Sequence, residues 1–247
     1  MSKLKQNFGT ALRVSIGLTV AIWVMFLIDT YLFNGALRFQ LGLRPRNTDG
    51  LIGILTTPFF HGGWGHLLSN SFPMVTLTGL LVFFFPKRWP TIGLFLWLGT
   101  GALSWLIADL ELIFSGSRGV HIGASGVIFA VAAFLSVSGF VRKNFRILAL
   151  SLIVIFYYGS MFAGVLPGRE GISWESHLAG AIIGVIAAFF FKNQLEDYEL
   201  EANRRKARKE LEAEGNQSPF LSRDTFEKTK AERQNEAFWN RLEDDMR

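Results

Sequence analysis

Ser125-Gly-Val-Ile-Phe-Ala-Val-Ala-Ala-Phe-Leu-Ser-Val-Ser-Gly-Phe-Val-Arg142 is an apolar run that closes on a cation. It is too short to cross a bilayer. The 17 steps from Ser125 to Arg142 make only ~26 Å of helix at 1.5 Å per residue, against a hydrocarbon core of about 30 Å. A helix anchored by Arg142 at one surface therefore starts inside the membrane. Non-helical backbone at that depth is tolerated only when protein surrounds it or it lines a wet cavity. The preceding Ser115-Gly-Ser-Arg-Gly-Val-His-Ile-Gly-Ala124 carries the glycines that such a descent needs.

The rest of the chain supports a membrane reading. Half of its 247 residues are hydrophobic, 24 of them Phe, and the mean hydropathy is +0.30. Six segments approach the roughly 20 apolar residues of a spanning helix: Val14–Phe33, His66–Phe85, Thr91–Phe114, Ser125–Phe140, Phe145–Leu166 and Ile172–Phe191. The first is too long for the apolar core of a signal peptide and lacks a good cleavage site, so it reads as a retained helix. The expected fold is an all-α membrane bundle of six helices. Residues 1–191 form the membrane domain, and residues 192–247 a charged, mostly helical cytoplasmic tail.

Charge sets the orientation. Residues 1–191 hold 13 Lys/Arg against 6 Asp/Glu, and residues 192–247 hold 12 against 14. Lys87-Arg88, Arg142-Lys143-Asn144-Phe145-Arg146, the basic N-terminus and Lys192 all fall on one side, which the bias of Lys and Arg in short loops makes cytoplasmic. Both termini are then inside. Asn34–Gly65 lies outside despite Arg38, Arg44 and Arg46, and its apolar pieces place it in the interface. The basic residues form no stripe with interleaved aromatics, so nucleic acid is not an expected partner. There is no cysteine, which excludes disulfides and thiolate metal sites. No cofactor or metal is expected.

Three polar residues share a depth. His177 lies 15 residues above Lys192 and Asn70 17 from Lys87, or ~22 and ~26 Å from the inner surface at the helical rise, beside ~26 Å for Ser125. Polar groups inside a membrane are expensive and mark function. A hydroxyl, an imidazole and an amide donor suit acyl transfer. Serine needs a base within hydrogen-bond reach, and imidazole is the side chain for that work near neutral pH. Ser125 opens its helix, so its N–H is free of helical acceptors and helps hold an oxyanion. Asn70 offers a second N–H, and His66, four residues earlier, shares its helix face. Glu175 precedes His177 by two and faces elsewhere, which leaves a dyad. Gly180 and Gly184, with Gly126, Ala130 and Ala133 on the fourth span, provide small surfaces that let helices touch.

These residues carry a resemblance. His61-Gly-Gly-Trp-Gly-His66-Leu-Leu-Ser-Asn70, Gly123-Ala-Ser125-Gly126 and Ser176-His177-Leu-Ala-Gly180 with Gly184, in that order and in those spans, are similar to the motifs of the rhomboid intramembrane serine proteases over roughly residues 11–191. The resemblance implies Ser125 as nucleophile, His177 as base, His66 and Asn70 at the oxyanion, and Gly123 shaping the turn before the serine. It also implies single-span membrane proteins as substrates. Phe129 stands where some relatives carry a tyrosine that packs on the histidine, and the outer loop lacks the Trp-Arg pair of some bacterial relatives.

Two other function classes compete. A transporter with a histidine relay is disfavoured because Asp29, Asp109 and Glu111 lie towards the outer span ends and no inverted repeat is visible. An inactive relative that binds membrane proteins without cutting them is the other. His61 and His121 are assigned to interface or loop packing. The tail is expected to be helical over Glu196–Glu214, to break at Gly215-Asn-Gln-Ser-Pro219 and to resume in a short helix; Phe226, Phe238 and Trp239 offer a partner face. Without a transit-like segment, the expected location is a bacterial inner membrane.

Overall fold

In a computed structural model of the protein, an apolar helix runs through each of the six hydrophobic segments. The structure describes residues 3–109, 119–167, 173–215 and 229–245. The helices are α1 (Lys3–Leu27, closed by a π turn Ile28–Leu32), α2 (Ala36–Leu41), α3 (Gly53–Thr56), α4 (Trp64–Phe84), α5 (Trp89–Ile107), α6 (Ser125–Arg142), α7 (Phe145–Tyr158), α8 (Trp174–Phe190), α9 (Asp197–Gly215) and α10 (Lys230–Asp245). Five segments, Leu4–Leu32, Trp64–Phe84, Trp89–Ile107, Ser125–Arg142 and Phe145–Val165, are long and apolar enough to cross a membrane. Ser125–Arg142, expected to fall short of a full crossing, is the shortest of the five at 18 residues but meets that measure, and α8 is an apolar helix of 17 residues. The predicted ends at Phe114 and Ile172, residue Glu111, the Ser115–Arg118 part of the descending segment, the break after Gly215 and Phe226 lie outside the described residues.

Two span predictions change. The third helix stops at Ile107, because Ala108 turns extended (ψ 150°) and Asp109 adopts φ 53°. The fifth loses its α-helical form after Tyr158 and continues as a 3-10 helix over Gly159–Val165. This tighter winding carries the chain along one wall of the candidate site.

Helix α6 is the axis of the bundle: two-thirds of it is buried, against 22–39% of the other long apolar helices. It packs against α4, α5, α7 and α8, and α1 lies outside on α4. That outer contact is apolar, with Ile22 and Phe26 on Leu67, and is pinned by the Trp23 indole donating to Ser71 Oγ at 2.9 Å. The outward faces carry large bare side chains such as Phe72, Phe145 and Phe156, an apolar surface that only hydrocarbon suits.

The basic residues of the outer loop are consumed by structure. Arg38 pairs with buried Asp29 at 2.6 Å. Arg46 donates to the carbonyl of Leu106, one of the last of α5 and so without a partner inside the helix, and to those of Ala108 and Asp109 just beyond it. Leu51, Ile52 and Leu55 of the same loop are exposed. On the opposite side, the Glu196 carboxylate accepts from the N–H groups of Lys87 and Arg88.

The chain divides into two compact units, Met1–Glu196 and Asp197–Arg247. In the second, α9 is charged, buried at Glu199 in its first turn and exposed over residues 200–210. Helix α10 starts from a capping box, where Thr229 Oγ1 accepts from the Glu232 N–H and Glu232 Oε2 accepts from the Thr229 N–H. Phe238 and Trp239 sit edge to face on its surface, both exposed.

Candidate active site

The site is built on the turn that feeds α6. His121 pairs through its main chain with Leu43 in an antiparallel bridge, its N–H on the Leu43 carbonyl at 2.8 Å. Two residues on, the Gly123 N–H meets the Thr57 carbonyl at 3.0 Å. Gly123 has φ +117°, a region that L side chains rarely adopt. A Cβ there would also stand 2.6 Å from His66 Nε2. Glycine is required twice over, by backbone angle and by space. Ala124 then caps α6 and Ser125 is its first residue.

His177 approaches from α8, whose N-cap is Ser173. Close contact of α6 and α8 brings it near. A methyl on Gly180 would overlap the Gly126 carbonyl oxygen, and one on Gly184 the Ala130 carbonyl. Across this glycine contact Ser125 Oγ and His177 Nε2 stand 2.8 Å apart. His177 Nδ1 lies 3.0 Å from the Gly164 carbonyl. A carbonyl only accepts, so Nδ1 carries the proton and Nε2 presents its lone pair to the serine hydroxyl. Phe129, one turn after Ser125, stacks on the imidazole at 4.1 Å with the planes 7° apart, and is itself buttressed edge-on by Phe162. The phenyl ring packs on the histidine without a hydroxyl.

Asn70 and His66 face the same turn from α4. Asn70 is buried, and its Nδ2 has no hydrogen-bond partner among the described residues. A buried donor left bare costs about 1–3 kcal/mol, so its presence calls for an acceptor that arrives with a ligand. The His66 ring lies against Gly123 and edge-on to the fully buried His61, with centroids 5.0 Å apart. Burial first, and the neighbouring His66 second, push the His61 pKa down to about 4, against a smaller opposing effect of the Phe59 backbone. His61 is therefore an uncharged buttress at neutral pH.

All four polar groups line one cavity of about 770 Å³, walled on one side by the 3-10 segment through Ser160, Met161, Ala163 and Gly164. Among the described residues no group of three His, Cys, Asp or Glu could hold a metal. Glu175 points away from Ser125, its Oε1 accepting the Asp109 N–H at 3.3 Å. Every residue singled out in the sequence for the site thus lies on this cavity or on the helix contact that shapes it. The Gly164 carbonyl was not foreseen, since a backbone acceptor leaves no mark on residue type.

A family model described as the Rhomboid domain matches residues 48–194. An uncharacterized protein of Mycobacterium tuberculosis is 37% identical over 204 residues, covering 81% of the chain and 78% of that protein. One of Mycobacterium leprae is 37% identical over 212 residues, covering 83% and 79%. The chloroplastic rhomboid-like protein 11 of Arabidopsis thaliana is 28% identical over 146 residues, covering 53% and 49%. With its motifs on one cavity and the family match across most of its helices, this chain is a multi-pass membrane protein of the rhomboid family.

Proposed function

We propose that the protein is an intramembrane serine endopeptidase that cuts transmembrane segments of other membrane proteins through a Ser125–His177 dyad. The observation that carries this reading is the 2.8 Å contact between Ser125 Oγ and the unprotonated Nε2 of His177, within a cavity of about 770 Å³. Ser125 Oγ attacks the scissile carbonyl as His177 Nε2 takes its proton. The tetrahedral oxyanion is held by Asn70 Nδ2–H and the Ser125 N–H, with the His66 imidazole beside them. His177 then returns the proton to the leaving amine. Water attacks the resulting ester with His177 again as base, and Ser125 is released.

The Gly164 carbonyl stands where soluble serine proteases place a carboxylate: it fixes the tautomer and the ring. Phe129 holds the ring plane. Six crossings with both termini inside, in a bacterial inner membrane, fit the charge pattern, and membrane-protein substrates fit a site that starts below the outer surface.

The test is cleavage of single-span reporter proteins by purified protein in vesicles. Ser125→Ala and His177→Ala are each expected to lower kcat by roughly 10⁴-fold or more, while the variants insert and fold normally. Cleavage at the parent rate by either variant would overturn the proposal. Substrate capture without cleavage by the parent protein, together with no labelling of Ser125 by a fluorophosphonate, would favour an inactive binder.

A further inference from the structure

Four residues before each member of the dyad stands a second hydrogen-bonded pair. His121 precedes Ser125 by four and Ser173 precedes His177 by four. His121 Nδ1 and Ser173 Oγ are 2.7 Å apart, and Ser125 Oγ and His177 Nε2 are 2.8 Å apart. The two links join the same two stretches of chain, each across 52 residues, like successive rungs of a ladder. The outer rung is anchored from a third element: Asp109, just past α5, places Oδ1 3.1 Å from His121 Nε2 and takes the Gly119 N–H on Oδ2 at 2.9 Å. Asp109 is itself held, its carbonyl by Arg46 at 3.0 Å and its N–H by Glu175.

Asp, His and Ser in this order look like a second catalytic triad, but Ser173 is not free to attack. Its Oγ already accepts the Ser176 N–H at 3.3 Å as the cap of α8 and contacts Ser176 Oγ at 2.8 Å. Its orbitals are committed to the helix start. What the cluster does is fix one length, that between the turn before α6 and the first turn of α8. Those are the two segments whose separation sets the dyad contact.

We propose that Asp109, His121 and Ser173 form a positioning clasp that holds the first turn of α8 in register with Gly123–Ser125, and through it the distance from Ser125 Oγ to His177 Nε2. His121 and Ser173 also line the cavity, but their side chains bond to each other, to Asp109 and to the start of α8 and not to Ser125 Oγ or the His177 ring, so they act through the dyad. The mechanical argument is short. α8 carries His177 one turn beyond its cap, so a shift of the cap passes through a rigid helix to the base. A hydrogen-bonded anchor at the cap is therefore an anchor on the imidazole. The catalytic part of the proposal rests on the protease reading above.

The experiment uses the full-length protein in vesicles with a cleavable single-span reporter, and compares His121→Ala, Ser173→Ala and the double variant. Each single change is expected to lower kcat by roughly ten- to a hundredfold, the scale of a misplacement near 1 Å, with KM unchanged. The double variant is expected to lose less than the product of the two single losses, because both remove the shared His121–Ser173 bond. Parent-level kcat in either single variant, a loss confined to KM, or multiplied losses in the double would overturn the clasp. If His121→Ala fails to fold, the decision passes to two isosteric variants. His121→Asn keeps a polar atom at the Nδ1 position facing Ser173 and should retain more kcat than His121→Gln, which keeps one only at the position facing Asp109; the reverse order would overturn it. If the parent protein neither cleaves nor labels, the protease reading fails. The clasp is then judged by hydrogen exchange at Ser176 and His177, which must quicken in the His121 variant and which, if unchanged, sinks it.

Discussion

The imidazole of His177 gives its Nδ1–H to the main-chain carbonyl of Gly164 at 3.0 Å. One consequence is that the base is oriented by the 3-10 segment Gly159–Val165, a piece of chain that also walls the cavity. A Cβ at Gly164 would stand 3.0 Å from the Phe129 ring and 3.4 Å from His177 Nδ1. Gly164→Ala is therefore expected to push on the stacked pair and to lower kcat about tenfold, the effect of a sub-ångström displacement of a positioned group. Reporter cleavage measured beside the thermal unfolding midpoint checks this; an unchanged kcat would show that the segment yields freely.

The ring plane of His177 depends on Phe129. Stacking of this kind is worth about 0.5–1.5 kcal/mol beyond buried area. Phe129→Tyr is expected to keep activity within about threefold, since the ring face is preserved. Phe129→Ala removes the face and opens a cavity beside the base, at about 3–5 kcal/mol of stability. Unfolding in detergent and cleavage kinetics on the same preparations should separate the two variants.

Gly123 has no tolerant replacement. Its φ of +117° and the 2.6 Å approach of His66 act together, and an L residue in such a region costs about 1–3 kcal/mol before any clash is counted. Gly123→Ala is expected to abolish cleavage while far-UV circular dichroism stays helical, because the strain falls on one turn. Normal turnover would mean that the turn relaxes without moving Ser125.

Asn70 should separate activity from stability. Its buried Nδ2 has no partner among the described residues, so Asn70→Ala deletes a donor that the resting fold does not use. The unfolding midpoint is expected to stay level or rise, while kcat falls roughly 10²–10³-fold, as for loss of one oxyanion donor. A large loss of stability with kcat preserved would assign Asn70 to packing instead.

The α6–α8 contact has no room for a side chain at Gly180, where a methyl would overlap the Gly126 carbonyl. Gly180→Ala is expected to destabilise by about 1–3 kcal/mol, the range for overpacking a tight contact. Its activity loss should exceed what the unfolded fraction explains, because the dyad spans this contact. Denaturant titration in mixed micelles provides the comparison.

Much of the site was legible before any coordinates. Ser125, His177 and Asn70 stood out as polar residues at one depth on three helices, and Gly126, Gly180 and Gly184 as the small surfaces through which two of them meet. The span ends were less legible. The third helix stops at Ile107, where Ala108 turns extended and Asp109 takes φ 53°, an end that Asp109 marks in the sequence but that a window of averaged hydropathy reads through. His121 reads as loop packing in the linear chain. Its partners Asp109 and Ser173 lie 12 and 52 residues away, and no spacing rule joins them.

What the amino-acid sequence determined by itself is the set of apolar helices and the places of polar residues along them. Hydropathy and helical rise are local properties that need no partner. What only the tertiary structure decided is which polar atoms touch: the hydroxyl of Ser125 on Nε2, the Gly164 carbonyl on Nδ1, the bare amide of Asn70 facing the turn. Those contacts depend on the rotation and separation of packed helices, which side-chain volumes settle jointly across the bundle and no single segment encodes.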